Sequence, residues 1–440
     1  MFRTLRDALK IADIRRKLLF TFLMIVVVRI GSQIPTPGVN TAFVAEWWAN
    51  QTSSAFNFFN TITGSSFTTM SIFALSITPY ITASIIVQLL TIAIPRLEEL
   101  QKEGEEGRKV MTKITRYLNI GLSVIQSVAM SVGFGSELLI HYTWYNIIFM
   151  ALIMTTGSAV LMWIGEQITD KGIGNGISII LLVNIISDMP SDFRTLYTTF
   201  VKGKTIFLGG LTLLVIIAIL IAIVVFVIYL QDGERRIPVQ YAKKMQGRKL
   251  VGGQSSHIPL KVNTAGVIPV IFASSLLSFP AIVAGFVGFN YQAPTNIGGY
   301  IIKTLTQGYW CNPDEPIYTI GLVIYLVLLV FFAYFYTSIT FNPIEVADNM
   351  KKQGGFIPGI RPGKPTSEYL ESVLDSLIFI GAIGLAIVAL IPIVLTGLFG
   401  VGTSLCFFGT SIIIIVGVIM ETLKQIESMM LVRYYKGFLS

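Results

Sequence analysis

The run IFLGGLTLLVIIAILIAIVVFVIYL, residues 206–230, carries no charge, and QDGERR, residues 231–236, follows it directly. A helix needs roughly 20 mainly apolar residues to cross hydrocarbon, so this run reads as a membrane span opening into a basic loop. Working outward, four further windows follow it, at 265–289, 317–337, 373–395 and 405–420. Five precede it, at 18–34, 72–94, 117–134, 144–164 and 177–186. Of the 32 Lys and Arg residues, only Arg194, Lys202, Lys204 and Lys303 lie in one set of alternate connections, and Arg29 sits within the first window. The other 27 lie in the set that holds both termini. Loops rich in Lys and Arg stay in the cytoplasm. The pattern predicts an all-α polytopic membrane protein with ten transmembrane helices and both termini cytoplasmic.

Composition agrees: 53% apolar, 13% charged and a mean hydropathy of +0.72 lie far from soluble averages. The net charge of +8 follows first from topology. The basic N-terminus resembles a secretory signal, but its apolar run ends at Ile34-Pro35-Thr36-Pro37 without a small-residue cleavage site, so a retained first helix is expected. Two Cys, Cys311 and Cys406, and two His, His141 and His257, exclude a Cys/His metal cage. Both thiols fall at or beyond the outer face and are read as unpaired. Solute transporters and proton pumps carry ionisable groups near the midplane. Spans 2, 3, 6, 7, 8 and 10 have none in their interiors, and Arg29 reads as snorkelling to the outer interface. Neither His stands near a nucleophile at membrane depth, which argues against an intramembrane hydrolase. Gly172-Ile173-Gly174-Asn175-Gly176 lacks the preceding strand and the Lys-Ser/Thr of a phosphate loop and reads as a flexible lead-in to short span 5.

Two echoes relate the halves. Pro79–Ser84 of span 2 and Pro269–Ser274 of span 7 share P-x-I-x-A-S, while Gly176–Ile180 and Gly409–Ile413 share G-x-S-I-I. An odd number of spans per half inverts one half against the other, and inverted repeats place the functional pathway at their interface. The connection from Pro35 to Ser71 is too apolar to float in water and too glycine-interrupted to span lipid. It reads either as a re-entrant plug in an external cavity mouth or as an interfacial aromatic belt. Two inner loops are long, basic and studded with Pro, Gly, Tyr and Phe: Gln231–Lys261 and Phe341–Gly363. Their tips suit ribosomal RNA phosphates, an acidic protein surface or anionic lipid headgroups.

Several long collinear motifs resemble the SecY family, central channel subunits of the bacterial Sec translocase. They are Arg29-Ile30-Gly31 with Ile34-Pro35, the stretch from Pro79 to Leu90, the stretch from Gly165 to Gly176, both inner-loop motifs, and Ala265-Gly266-Val267-Ile268-Pro269. Together they cover roughly Asp13 to Tyr434. The resemblance implies an hourglass between two inverted pseudo-symmetric halves of five helices. Its waist is a pore ring of Ile77, Ile81, Ile177, Leu181, Ile271 and Ile414, with Leu181 where many relatives have isoleucine. A plug at about 57–69, including Asn57, Phe59, Asn60, Gly64 and Phe67, closes the channel from outside. Spans 2, 3, 7 and 8 form a lateral gate whose polar positions Thr82, Gln126 and Ser274 are expected to hydrogen-bond across the closed seam. Arg235, Arg236, Arg248, Lys249 and Arg361 correspond to residues that dock the SecA ATPase or the ribosome.

The implied function is a non-enzymatic channel, without cofactor or metal. It passes unfolded preproteins across the plasma membrane and releases membrane helices into lipid. SecE and SecG are the implied subunits, SecA or the ribosome the drive, and signal peptides the targeting element. The corresponding organisation is a cytoplasmic segment 1–17, a first half 18–190, a second half 191–422 with cytoplasmic loops at about 231–261 and 338–372, and a cytoplasmic tail 423–440.

Overall fold

The computed structural model describes residues 8–436 other than 51–53, 201, 203–205, 242–243, 247–248, 252–254, 287–288, 290–293, 295 and 400–407. In chain order the first half comprises α1 (Ala12–Gly31), α2 (Thr41–Asn50), α3 (Ser54–Thr63), α4 (Thr78–Ala93), α5 (Pro95–Lys102), α6 (Glu105–Gly133), α7 (Trp144–Lys171) and α8 (Gly176–Phe200). The second holds α9 (Ile206–Asp232), β1 (Glu234–Tyr241), β2 (Lys244–Gln246), β3 (Lys249–Val251), β4 (Ser255–Lys261), α10 (Ile268–Phe286), α11 (Ile297–Leu305) and α12 (Ile320–Thr340). It continues through α13 (Pro343–Lys352), β5 (Gly355–Phe356), α14 (Lys364–Phe399) and α15 (Phe408–Lys436).

Each apolar window is occupied by a helix. Among the described residues, six helical segments are long and apolar enough to cross a membrane, and the bent pair α4–α5 makes a seventh. The three remaining windows hold α1, α6 and α10. α1 carries Arg15, Arg16, Lys17 and Arg29, and α10 has only 19 residues. α6 is diluted by a polar ladder at every fourth position: Asn119, Ser123, Ser127 and Ser131. A spacing of four keeps these on one helix face. That face meets α7, where Asn119 donates to the Met162 sulfur at 3.2 Å, Ser123 to Ser158 at 3.2 Å, and Ser127 pairs with Thr155 at 3.2 Å. Small hydroxyl residues let membrane helices approach closely and bond across their contact. At the other extreme, the buried apolar side chains of α9 among the described residues are the stripe Ile223, Val227 and Leu230, and most of its remaining described surface suits lipid.

α7 is the centre of the first half, packed by α1, α6 and α8; α14 takes that place in the second, against α9, α12, α13 and α15. The halves meet where α8 packs on α9 and α15, and where α6 and α3 pack on α10. The sequence echoes have structural counterparts. Pro79 and Pro269 are the second residues of α4 and α10, where a missing N–H costs no hydrogen bond. Gly176 lies so close to α7 that a Cβ there would meet the Gly165 carbonyl oxygen at 1.9 Å. Gly409 stands equally tight on α14, its Cβ position 2.5 Å from the Val388 oxygen. Spans 5 and 10 thus need glycine at the same point, against spans 4 and 9.

Three expectations change. Span 2 begins as a helix only at Thr78, because residues 64–77 are a chain of turns with positive φ at Gly64, Ser65, Met70 and Ser76. Span 5 is not short: α8 runs through Pro190 to Phe200, so a boundary between halves at 190/191 falls inside a helix. The apolar window stopped early because Ser187, Asp188, Ser191 and Asp192 follow it. The glycine-rich segment at 172–176 is a packed joint, with Ile173 N–H donating to Thr21 Oγ1 of α1 at 3.2 Å. The inner loops also contain a sheet, ordered β4–β1–β5, with Arg235 opposite Leu260 and Gln240 opposite Phe356. Its signal was the alternation that buries Ile237 and Val239 beneath exposed Arg236, Pro238 and Gln240. The second cytoplasmic loop is largely α13 and the start of α14, and the tail continues α15 to Lys436.

Gly176→Ala should destabilise the protein by about 1–3 kcal/mol, the usual cost of overpacking. A lowered melting temperature of the detergent-solubilised protein checks this; an unchanged one would mean that the α7–α8 joint yields.

Candidate functional site

The six ring positions come from four helices and both halves. Ile77 caps the start of α4 and Ile81 follows one turn later. Ile177 and Leu181 stand four apart on the first turns of α8, while Ile271 lies on α10 and Ile414 on α15. The fold gathers all six: Ile77, Leu181, Ile271 and Ile414 are buried in one apolar cluster, against which Ile81 and Ile177 pack. A cavity of about 460 Å³ abuts the cluster, and five of the six line it, all but Ile77. Its remaining wall is mixed: Val267, Ile268, Phe272 and Val418 stand beside the polar Gln88, Thr169, Asp170 and Asn175, with an ion pair of Arg116 Nε and Glu166 Oε1 at 2.8 Å. Water filling such a cavity finds partners along the wall and none at the aliphatic floor. Branched side chains there resist wetting and bind no particular side chain.

On the far side of the cluster stands α3. Its Ile62 belongs to the same cluster as the ring. Phe59 and Phe67 are buried in a neighbouring cluster with Met70, Leu75, Met130 and Phe134, and the rings of Phe59 and Phe67 meet edge to face at 5.1 Å. The segment is therefore packed inside the protein, beside the cluster that holds the six aliphatic residues. Its backbone is held by polar side chains of neighbouring spans. Asn184 of α8 donates to the Ile62 carbonyl and to Ser76 Oγ, each at 3.0 Å. Arg29 of α1 donates to the Gly64 carbonyl at 3.3 Å, and Ser187 of α8 to the same oxygen at 3.4 Å. Ser65 Oγ donates to Asp188 of α8. Gly64 needs its identity, with φ of +64° and a Cβ position 2.7 Å from the Asn184 backbone. Asn60 is half-buried, and Asn57 lies on α3 with its side chain outside the described residues.

The SecY family pattern matches residues 71–423. "Protein translocase subunit SecY" of Halalkalibacterium halodurans is 44% identical over 445 residues, covering 100% of each chain. The chain belongs to the SecY family. Among solved structures, "The structure of a protein conducting channel" superposes with a TM-score of 0.63 at 20% identity, covering 95% of this chain and 93% of that one. "Sec61 in the Canine ribosome-channel complex from the endoplasmic reticulum" gives 0.61 at 19% identity, over 94% and 92%. These likenesses concern the fold, which is that of the SecY and Sec61 channels, in a multi-pass membrane protein.

α6 and α10 pack against each other along the expected seam. No hydrogen bond joins Thr82, Gln126 and Ser274 among the described residues. Thr82 Oγ1 donates to the Thr78 carbonyl of its own helix at 3.1 Å, Ser274 accepts from Gln307 at 3.4 Å, and the Gln126 carbonyl oxygen is buried without a partner. Threonine satisfies itself on the preceding turn, so the seam is closed by packing, not by these three bonds. Arg235 and Arg236 are exposed on β1, Arg236 pairing with Glu234 at 2.6 Å. Arg361 is exposed just beyond β5, which pairs with β1, so both loops belong to one folded unit. Lys249 lies on β3 with its side chain outside the described residues, and Arg248 falls outside them altogether, as does Cys406. Cys311 carries a free thiol, which burial pushes above the usual range.

Sequence reasoning missed Asn184, Ser187 and Asp188, and did not anticipate that Arg29 bonds to the Gly64 carbonyl. The available signal was a fifth span that seemed only ten residues long: a window too short to cross marks polar residues lying at membrane depth. Ile271→Ser should wet the waist and raise resting ion leak several-fold in reconstituted channels; an unchanged leak would remove Ile271 from the seal.

Proposed function

We propose that the chain conducts unfolded preproteins through the waist formed by Ile77, Ile81, Ile177, Leu181, Ile271 and Ile414. It releases membrane helices sideways between α4, α6, α10 and α12. The observation that carries this reading is the aliphatic cluster, drawn from both halves, between a partly polar cavity and the packed segment at 57–69. An aliphatic seal parts around a passing chain and closes behind it, while the half-interface supplies the line along which it opens. The chain resides in the plasma membrane with both termini cytoplasmic, as the distribution of basic residues requires.

The channel subunit catalyses no reaction of its own. Energy comes from SecA or from the translating ribosome, docked on the sheet and loops that carry Arg235, Arg236, Arg248, Lys249 and Arg361. Phosphate-rich rRNA and acidic protein surfaces both suit such a patch, through salt-sensitive attraction. SecE clamps the two halves and SecG lies at the periphery. Signal peptides open the seam between α6 and α10, where Thr82, Gln126 and Ser274 lie.

The deciding experiment places photoreactive probes at Ile81→Cys and Ile271→Cys in proteoliposomes with SecE, SecG, SecA and ATP. A moving preprotein should crosslink to both positions, dependent on ATP and on its signal. Transport without crosslinks would displace the ring from these residues. Arg361→Glu should reduce motor-driven export by more than about tenfold, the low end of what reversing an interfacial charge costs, while leaving membrane assembly intact. Normal export by that variant would sink the docking assignment.

A further inference from the structure

Arg29 and Asp188 are the two charges that the fold brings to the plug, and neither serves the ring or the cytoplasmic cavity. Both lie on membrane-crossing helices, where ionisable groups are costly and mark function. Asp188 is only 6% exposed and Asn184 only 1%. One Asp188 oxygen and the Asn184 carbonyl oxygen are buried without partners, so these side chains are not placed for full satisfaction within their own helix. A purely structural role would be met by bonding α1 to α8 directly. Instead Asn184 and Arg29 donate to plug atoms, the carbonyls of Ile62 and Gly64, and the Ser65 hydroxyl donates to Asp188, whereas the shorter bond of Ser187, at 2.9 Å, runs to the Asn184 backbone carbonyl of its own helix.

We propose that Asn184 and Asp188 of α8, with Arg29 of α1, form a polar latch that holds the plug to the first half. The inference rests on reading the segment at 57–69 as the plug. Every latch residue sits on a first-half helix, whereas Ile62 shares one apolar cluster with Ile271 and Ile414 of the second half, and its helix α3 packs on α10. Apolar contact gives way continuously as the halves separate. Hydrogen bonds and a carboxylate contact require partners to be exchanged, and lipid or a dry pore offers none. Parting of the halves therefore leaves the plug seated on α8, and opening needs a second event: a hydrated or polypeptide-filled pore that supplies alternative partners. The latch residues are positioning residues for the seal. They touch the plug, not the transported chain.

The test is resting ion leak through the reconstituted complex of the full chain with its partner subunits. Asn184→Leu removes the bond to Ile62, and Ser65→Ala removes the bond to Asp188 from the plug side alone. Each should raise leak by about fivefold, the shift in an equilibrium that the loss of one net hydrogen bond produces. Deleting residues 60–67 should raise leak at least as far, and Asn184→Leu should add nothing on top of the deletion. Leak at the parental level in both point variants, with the deletion leaky, would overturn the latch and leave the plug standing. An unchanged leak in the deletion would overturn both. As a check independent of weakened folding, Ser65→Cys combined with Asp188→Cys should form a disulfide that blocks preprotein transport until reductant is added. Transport proceeding with that bond closed would also overturn the latch.

Discussion

Hydrocarbon offers no hydrogen-bonding partner, and this constraint decides what the segment between the first two spans can be. Residues 64–77 are neither helix nor sheet, yet they lie against buried parts of four helices. Such backbone survives only where protein satisfies it. Thr36 N–H donates to the Met70 carbonyl at 2.9 Å and Ile72 N–H to Ile34 at 3.0 Å, while Ser71 N–H closes on Ser66. The carbonyls at Ile62 and Gly64 take side-chain donors from α8 and α1. An interfacial belt would need none of this, because headgroup water would serve. The aromatic residues then find their place: Phe59, Phe67 and Trp48 fill the space around satisfied backbone instead of floating at a membrane surface.

The ring and the cavity divide the work between two kinds of surface. Branched aliphatics drawn from α4, α8, α10 and α15 give each other dispersion contact and give water nothing. The Arg116–Glu166 pair, half exposed on the Arg116 side, contributes little to stability, as solvated ion pairs generally do. Its effect is to keep the cavity wall wet close to the dry floor. For packing of this kind the six residues need only shape and greasiness, so leucine at 181 serves where isoleucine would.

Much of this was legible before any coordinates. The alternation of basic loops marked out the spans, and the six residues named from the family motifs lie in or against one apolar cluster, although no single isoleucine announces itself. What stayed hidden depended on long-range satisfaction. Thr82 was expected to bond across the gate, but a threonine in a helix can always bond to its own preceding turn. Asp188 looked like the polar end of span 5, because hydropathy counts residues without knowing that Ser65 lies opposite. The sheet in the inner loops was readable from alternation at Arg236–Gln240, yet a basic loop invites a reading as solvated chain. The polar ladder on α6 was visible as a four-residue period and was passed over because its members are small.

The deepest regularity lies in how the loops are tied. In an inverted repeat, the connection between spans 1 and 2 corresponds to that between spans 6 and 7, on opposite sides of the membrane, and the connection between spans 3 and 4 to that between spans 8 and 9. The structure ties both pairs in the same way. Inside, β1 of the 6–7 connection pairs antiparallel with β5 of the 8–9 connection. Outside, Val39 of the 1–2 connection bridges antiparallel to Leu139 of the 3–4 connection, with Asn40 N–H donating to the Leu138 carbonyl at 2.8 Å and Ile140 N–H to Gly38 at 3.1 Å. One tie became a sheet long enough to present arginines to the cytoplasm; the other stayed a single bridge beside a segment folded back into the pore. Corresponding connections are thus tied by antiparallel backbone pairing in both halves. The difference between them is physical: the inner copy is charged and free in water, while the outer copy is aromatic and must find its partners in the protein.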